Sequence, residues 1–133
     1  NIFDLARRHP KRLNAGSLEA QLKALEEHTS KVFHDTIEAF KDSDETLARQ
    51  VMDDYKEDIS ADSEKMTDDI IGGTVSDLEP PEAAAVVLYA RFLKRIGSHS
   101  RNIATSIVNP FHRIGYNEKT DKSPETDIIP PEE

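Results

Sequence analysis

Apolar and small residues recur at helical spacing in three stretches of this chain, separated by turn-forming residues. In the longest, Val86, Ala90, Leu93, Gly97, Ser100, Ile103 and Ile107 alternate steps of four and three, which gathers them on one side of a helix. Pro80-Pro81 suits the first turn of that helix, and Pro110 halts it after Asn109. An earlier stretch, with Ser17 as N-cap and running to about Lys41, places Leu18, Leu22, Leu25, Thr29 and Val32 in line. Phe33, Ile37 and Phe40 form a parallel row that widens the same face. Between the two, Leu47, Val51, Tyr55, Ile59, Met66 and Ile70 point inward. This middle stretch opens after the acidic cap Asp42-Ser43-Asp44-Glu45 and closes at Gly72-Gly73. The expectation is an all-α fold, an antiparallel three-helix bundle of spectrin-like type over residues 17–109.

The flanks read differently. Residues 1–10 form a short basic segment that Pro10 ends, either the tail of a preceding helix or a lead-in. Residues 110–133 turn polar and proline-bearing, with too little apolar surface to offset the entropy of ordering, and are expected to be a flexible tail. Phe111, Ile114 and Tyr116 are the residues there able to dock on the bundle.

Gly97 stands on the inner stripe, where glycine costs about 1 kcal/mol of helix propensity relative to alanine. A loss of that size predicts that a neighbouring backbone approaches closely there. Around it the chain reads Ala90-Arg91-Phe92-Leu93-Lys94-Arg95-Ile96-Gly97-Ser98-His99-Ser100-Arg101-Asn102-Ile103-Ala104. This string resembles the signature that closes each repeat of the PhoU family, bacterial and archaeal regulators of phosphate uptake. The wider similarity runs from about Leu18 to Val108, and Asn1-Ile2 repeats the Asn102-Ile103 pair, as if the chain began inside a preceding repeat.

The resemblance also bears on metal binding. Family repeats can hold iron or zinc clusters through acidic pairs four residues apart, one pair on the second helix and one in the signature. Here the signature positions are Lys94 and Ser98, and the ungapped second-helix positions are Tyr55 and Ile59. A lysine ammonium is no ligand and repels a cation, so the family site is expected to be lost and no cofactor is expected. A one-residue slip would offer Asp54, Asp58 and Asp62 instead, at the cost of turning the apolar stripe away by about 100° per residue. These three acids read as a solvated stripe, and Lys94 as an internal cation for second-helix acids such as Asp58 or Asp62.

Composition narrows the rest. The 133 residues form one domain, with 32% charged residues, 6% aromatics and no cysteine, which suits a helical protein and excludes disulfides and thiolate metal sites. A net charge of −9 argues against nucleic acid as a partner. The longest apolar run, Ala83 to Ala90, is far short of the roughly 20 residues a membrane span needs. No nucleophile is paired with a base, and no glycine-rich loop precedes a helix, so no catalytic residues are assigned. His9, His28, His34 and His112 read as surface or capping residues, and His99 as a hydrogen-bonding residue within the signature.

What the resemblance implies for function is a non-enzymatic, cytoplasmic adaptor. Its expected partners are the ATP-binding subunit of a phosphate ABC transporter and a sensor histidine kinase, with membranes reached only through them. The interaction residues would be Arg91, Lys94, Arg95, Gly97, His99, Arg101 and Asn102. Alternatives are a cytoplasmic domain of a sodium-phosphate cotransporter and a metal-binding repeat. A homodimer through leftover apolar residues such as Phe33, Phe40 or Phe92 is also open.

Overall fold

Two tight turns divide the long part of the chain into three antiparallel segments. The computed structural model describes residues 1–9, 11–109, 111, 114 and 115. Its helices are α1 (Ile2–Arg8), α2 (Glu19–Asp42), α3 (Glu45–Asp54), α4 (Ala61–Ile71) and α5 (Pro80–Val108). α3 and α4 are one rod joined by a π-helical segment, Tyr55–Ser60. No strand occurs among the described residues, so the fold is the expected helical bundle.

The first turn forms because Ser43 enters the left-handed region at φ 52° and Asp44 caps the next helix, accepting from the Leu47 N–H at 2.9 Å. The second is a Schellman closure. Thr74 N–H donates to the Asp69 carbonyl and Gly73 N–H to Ile70, with Gly73 at φ 75°, where a side chain would be strained. Pro80 opens α5 at a position whose N–H has no helical partner. At the far end Asn109, with ψ 148°, takes the extended shape that a following proline imposes.

The core is the line where the three rods meet. Leu25, Val32, Val51, Ile59, Met66 and Val86 are fully buried there, each stabilising the fold by about 1.5–3 kcal/mol. α2 and α5 run parallel, with α3–α4 antiparallel to both. The inner stripe of α5 is made largely of small residues, Ala85, Ala90, Gly97, Ser100 and Ala104, which lets the rods approach closely.

Several expectations need correction. Phe33, Ile37 and Phe40 are 48%, 46% and 62% exposed, because they lie about 60–120° round α2 from the Leu25 line. Ala104 rather than Ile103 continues the α5 stripe, and Ile103 is half-exposed. Ser17 does not cap α2. Residues Gly16–Leu18 form a 3-10 turn, and the Ser17 N–H and hydroxyl both donate to the Asp77 carboxylate, at 2.7 and 2.9 Å. These bonds hold Asp77 below the usual carboxylate range and tie the start of α2 to the α4–α5 loop.

The π segment has a cause in the sequence. Val51, Tyr55, Ile59 and Ser63 follow at three successive steps of four. In a plain α-helix such a run drifts by about 120° around the axis. One wider turn absorbs the surplus, so that Val51, Ile59 and Ser63 all stay buried.

α1 packs on α5, with His9 Nε2 3.5 Å from Glu82 at its end. Beyond α5 the chain folds back. The Gly115 N–H donates to Thr105 Oγ1 at 2.6 Å and its carbonyl accepts from Arg101. Ile114 is 40% exposed, whereas Phe111 is 90% exposed and does not dock. Tyr116 and most of residues 110–133 lie outside the described residues.

Candidate interaction face on the last helix

α5 divides the signature into a packed side and a presented side. Gly97 is buried, and a β-carbon built on it would stand 3.0 Å from Ile59 Cδ1 and Tyr55 Cδ2 and 3.1 Å from Ile59 Cγ2. The close neighbour is therefore a pair of side chains from the π segment rather than a backbone. On the opposite side Arg91, Arg95, His99 and Asn102 are exposed. Their spacing of four, four and three makes one row along the outer face.

Lys94 and Arg101 belong to neither side. Both are half-buried on the flank facing the α3–α4 rod or the returning chain. Lys94 Nζ donates to Glu64 Oε1, so its partner is Glu64 and not Asp58 or Asp62. Lys94 lowers the pKa of the Glu64 carboxyl through that bond and its charge. Arg101 Nη1 donates to the Gly115 carbonyl at 3.3 Å. The seven residues assigned to interaction thus separate into four presented, two committed to neighbours, and one packed.

Asp54 also departs from expectation. Its side chain is only 16% exposed, accepts from Lys31 Nζ at 2.7 Å and from Gln50 Nε2 at 2.6 Å, and bridges α2 to α3. Burial pushes its pKa up, but the Lys31 and Gln50 hydrogen bonds outweigh that and hold it below the usual carboxylate range. Lys31, bonded to Asp35 and Asp54, is raised well above the usual lysine range. Asp58 and Asp62 are half-buried rather than freely solvated. His28 is no plain surface residue either, since its Nδ1 is buried without a hydrogen-bond partner. His112 lies outside the described residues.

The positions that the resemblance assigns to cluster ligands are Tyr55, Ile59, Lys94 and Ser98. Tyr55 and Ile59 are wedged against Gly97, the Lys94 ammonium is engaged by Glu64, and Ser98 offers one hydroxyl. Among the described residues no group of three or more His, Cys, Asp or Glu side chains is placed to hold a metal ion.

One polar contact has no counterpart in the expectations from sequence. Tyr89 Oη donates to Glu26 Oε1 at 2.7 Å, across the seam between α2 and α5. Burial and the Glu26 charge push the Tyr89 phenol up. A tyrosine among the half-buried positions of α5 is the signal that marks such a tether, since its hydroxyl needs a partner.

Fold and face together define a helical bundle that presents one polar row, Arg91, Arg95, His99 and Asn102, on its last helix. A model of the PhoU domain matches residues 22–107, from the first turn of α2 to the last turn of α5, with the whole signature inside the match. The chain belongs to the PhoU domain family, a family of non-enzymatic regulators associated with phosphate transport. No curated protein and no solved structure matches it. No helix among the described residues is long and apolar enough to cross a membrane.

Proposed function

We propose that this domain is an adaptor that regulates phosphate uptake by docking, on the cytoplasmic side, onto the ATP-binding subunit of a phosphate transporter and onto a phosphate-responsive sensor kinase. The observation that carries this reading is the split of the signature, with Gly97 packed and Arg91, Arg95, His99 and Asn102 presented in a row. A rigid bundle with a basic row, in a chain of net charge −9, favours recognition of an acidic surface over turnover. Reversing two of those charges, Arg91→Glu with Arg95→Glu, leaves the fold intact and weakens binding to the ATP-binding subunit by about tenfold or more. Binding that is undiminished, measured by calorimetry against the purified subunit, overturns the assignment.

The same reading includes a repeat without a metal cluster. Hydrophobic and cationic side chains at the ligand positions support it. Stoichiometric iron or zinc in the purified chain, by elemental analysis, removes that part of the proposal while leaving the docking row untouched.

A further inference from the structure

The presented row on α5 ends beside Gly115, the last described residue. From Ala83 to Asn109 the helix carries four cations, Arg91, Lys94, Arg95 and Arg101, and no acid. Lys94 is bonded to Glu64, and Arg101 to the Gly115 carbonyl. Arg91 and Arg95 are exposed and form no ion pair among the described residues. On α1, which packs against the same helix, the one acid, Asp4, accepts from Arg7.

Gly115 is pinned at one end of that row. Its N–H donates to Thr105 Oγ1 and its carbonyl accepts from Arg101, and a β-carbon built on it would stand 3.9 Å from Asn102 Oδ1. Residues 116–133 follow it in sequence and lie outside the described residues. They hold six carboxylates, on Glu118, Asp121, Glu125, Asp127, Glu132 and Glu133, against two lysines. At 1.5 Å per residue along α5, Arg95 stands about 10 Å and Arg91 about 16 Å from the level of Asn102. Three residues of extended chain span about 10 Å and six about 20 Å. Glu118, three beyond Gly115, therefore reaches the level of Arg95, and Asp121, six beyond it, that of Arg91.

Tether and charge choose this segment over a separate molecule. Covalent attachment beside the row keeps its carboxylates there at an effective concentration on the order of millimolar. The α3–α4 rod, with nine acids to three cations between Glu45 and Ile71, repels the segment from the other side of the bundle. Single exposed ion pairs are weak. The segment therefore covers the row for part of the time and gives way to a partner that fits it better.

We propose that the segment after Gly115 is an internal competitor for the docking row: its carboxylates lie over Arg91 and Arg95 and leave when the row takes an acidic partner. This regulation rests on the docking row of the proposed function, whereas contact between segment and row is measured without any partner. The chain has no cysteine, so Ser123→Cys accepts a single nitroxide label in the full chain. At low salt the amide signals of Arg91, Arg95 and His99 are expected to lose about half their intensity or more in NMR spectra. They recover with Glu118→Gln plus Asp121→Asn, with Arg91→Glu plus Arg95→Glu, and in about 0.5 M sodium chloride. No broadening at the row, equal broadening along the α3–α4 rod, or broadening that both pairs of substitutions leave in place overturns the proposal. In calorimetry, Glu118→Gln plus Asp121→Asn is expected to tighten binding of the purified ATP-binding subunit about threefold. Unchanged affinity overturns the competition. A subunit that binds no variant refutes the docking reading instead, and broadening that Arg91→Glu plus Arg95→Glu removes still supports the contact.

Discussion

α5 makes two long contacts of opposite character. Toward the π segment it presents Gly97 to Tyr55 and Ile59, with no spare room and Ile59 fully buried. Toward the upper half of α2 it leaves Phe33, Phe40 and Ile103 half-exposed around an open groove. The first contact uses its side chains to fix the bundle, and the second leaves them unspent. Apolar content alone does not separate these roles, since both sides are rich in large hydrophobic residues. What separates them is whether a third rod lies opposite.

The sharpest way to break the contrast is to crowd the first contact. Gly97→Val drives two methyl groups into Tyr55 and Ile59 and is expected to destabilise the fold by about 3 kcal/mol in urea unfolding. Gly97→Ala recovers about 1 kcal/mol of helix propensity against a smaller clash, and adding Ile59→Val restores part of its loss. If Gly97→Val unfolds at the parent midpoint, the contact is looser than its geometry. Opening the same contact from the other side, Ile59→Ala costs about 2–5 kcal/mol. At the open seam the expectation reverses: Phe40→Ser changes stability by about 0.5 kcal/mol or less, because the ring is 62% exposed.

A bridge between α2 and α3 gives a smaller effect with a pH signature. Asp54→Asn removes the carboxylate charge that faces Lys31 across the two helices and costs about 0.5–1 kcal/mol at neutral pH. The folded-state pKa of Asp54 is depressed. Its contribution is therefore present above the unfolded carboxylate range and disappears as pH falls through the folded value. Lys31 is shifted the opposite way, upward, so its contribution is intact below the ordinary lysine range and fades only in strong alkali. The stability gap between parent and Asp54→Asn should thus be constant near neutrality and shrink toward zero in acid, as followed by urea midpoints across pH. A gap that persists in acid means the bridge is not ionic.

The bundle was legible because its turns carry strong local chemistry. Gly72-Gly73, Pro80-Pro81 and the acidic run before Leu47 each allow few backbone alternatives. Gly97 was legible as a close contact because a glycine on an inner stripe forfeits helix propensity and leaves a slot that a neighbour must fill. The π segment was also written in the sequence, in the run Val51, Tyr55, Ile59, Ser63, but only to a reading that counts accumulated rotation rather than single steps. Which apolar residues stay outside was not legible. Phe33 and Phe40 sit on the margin of an apolar arc, and exposure there depends on the crossing of two rods, which no local pattern specifies. Pairings between distant charges were the least accessible. Lys94 has several second-helix acids within its reach, and the choice of Glu64 depends on how the π turn sets the rotation of α4. Ser17 illustrates the same limit, since its bonds to Asp77 join residues sixty apart.

The line of small side chains on the inner edge of α5 has a mechanical consequence. Alanine, glycine and serine there let the rods interlock, and sliding α5 by one turn would drive Leu93 into the slot that Gly97 leaves for Tyr55 and Ile59. Gear-like seating of that kind resists axial shifts within the domain. A push on one rod is therefore passed to the whole assembly rather than absorbed by slippage inside it, as a key is turned without bending.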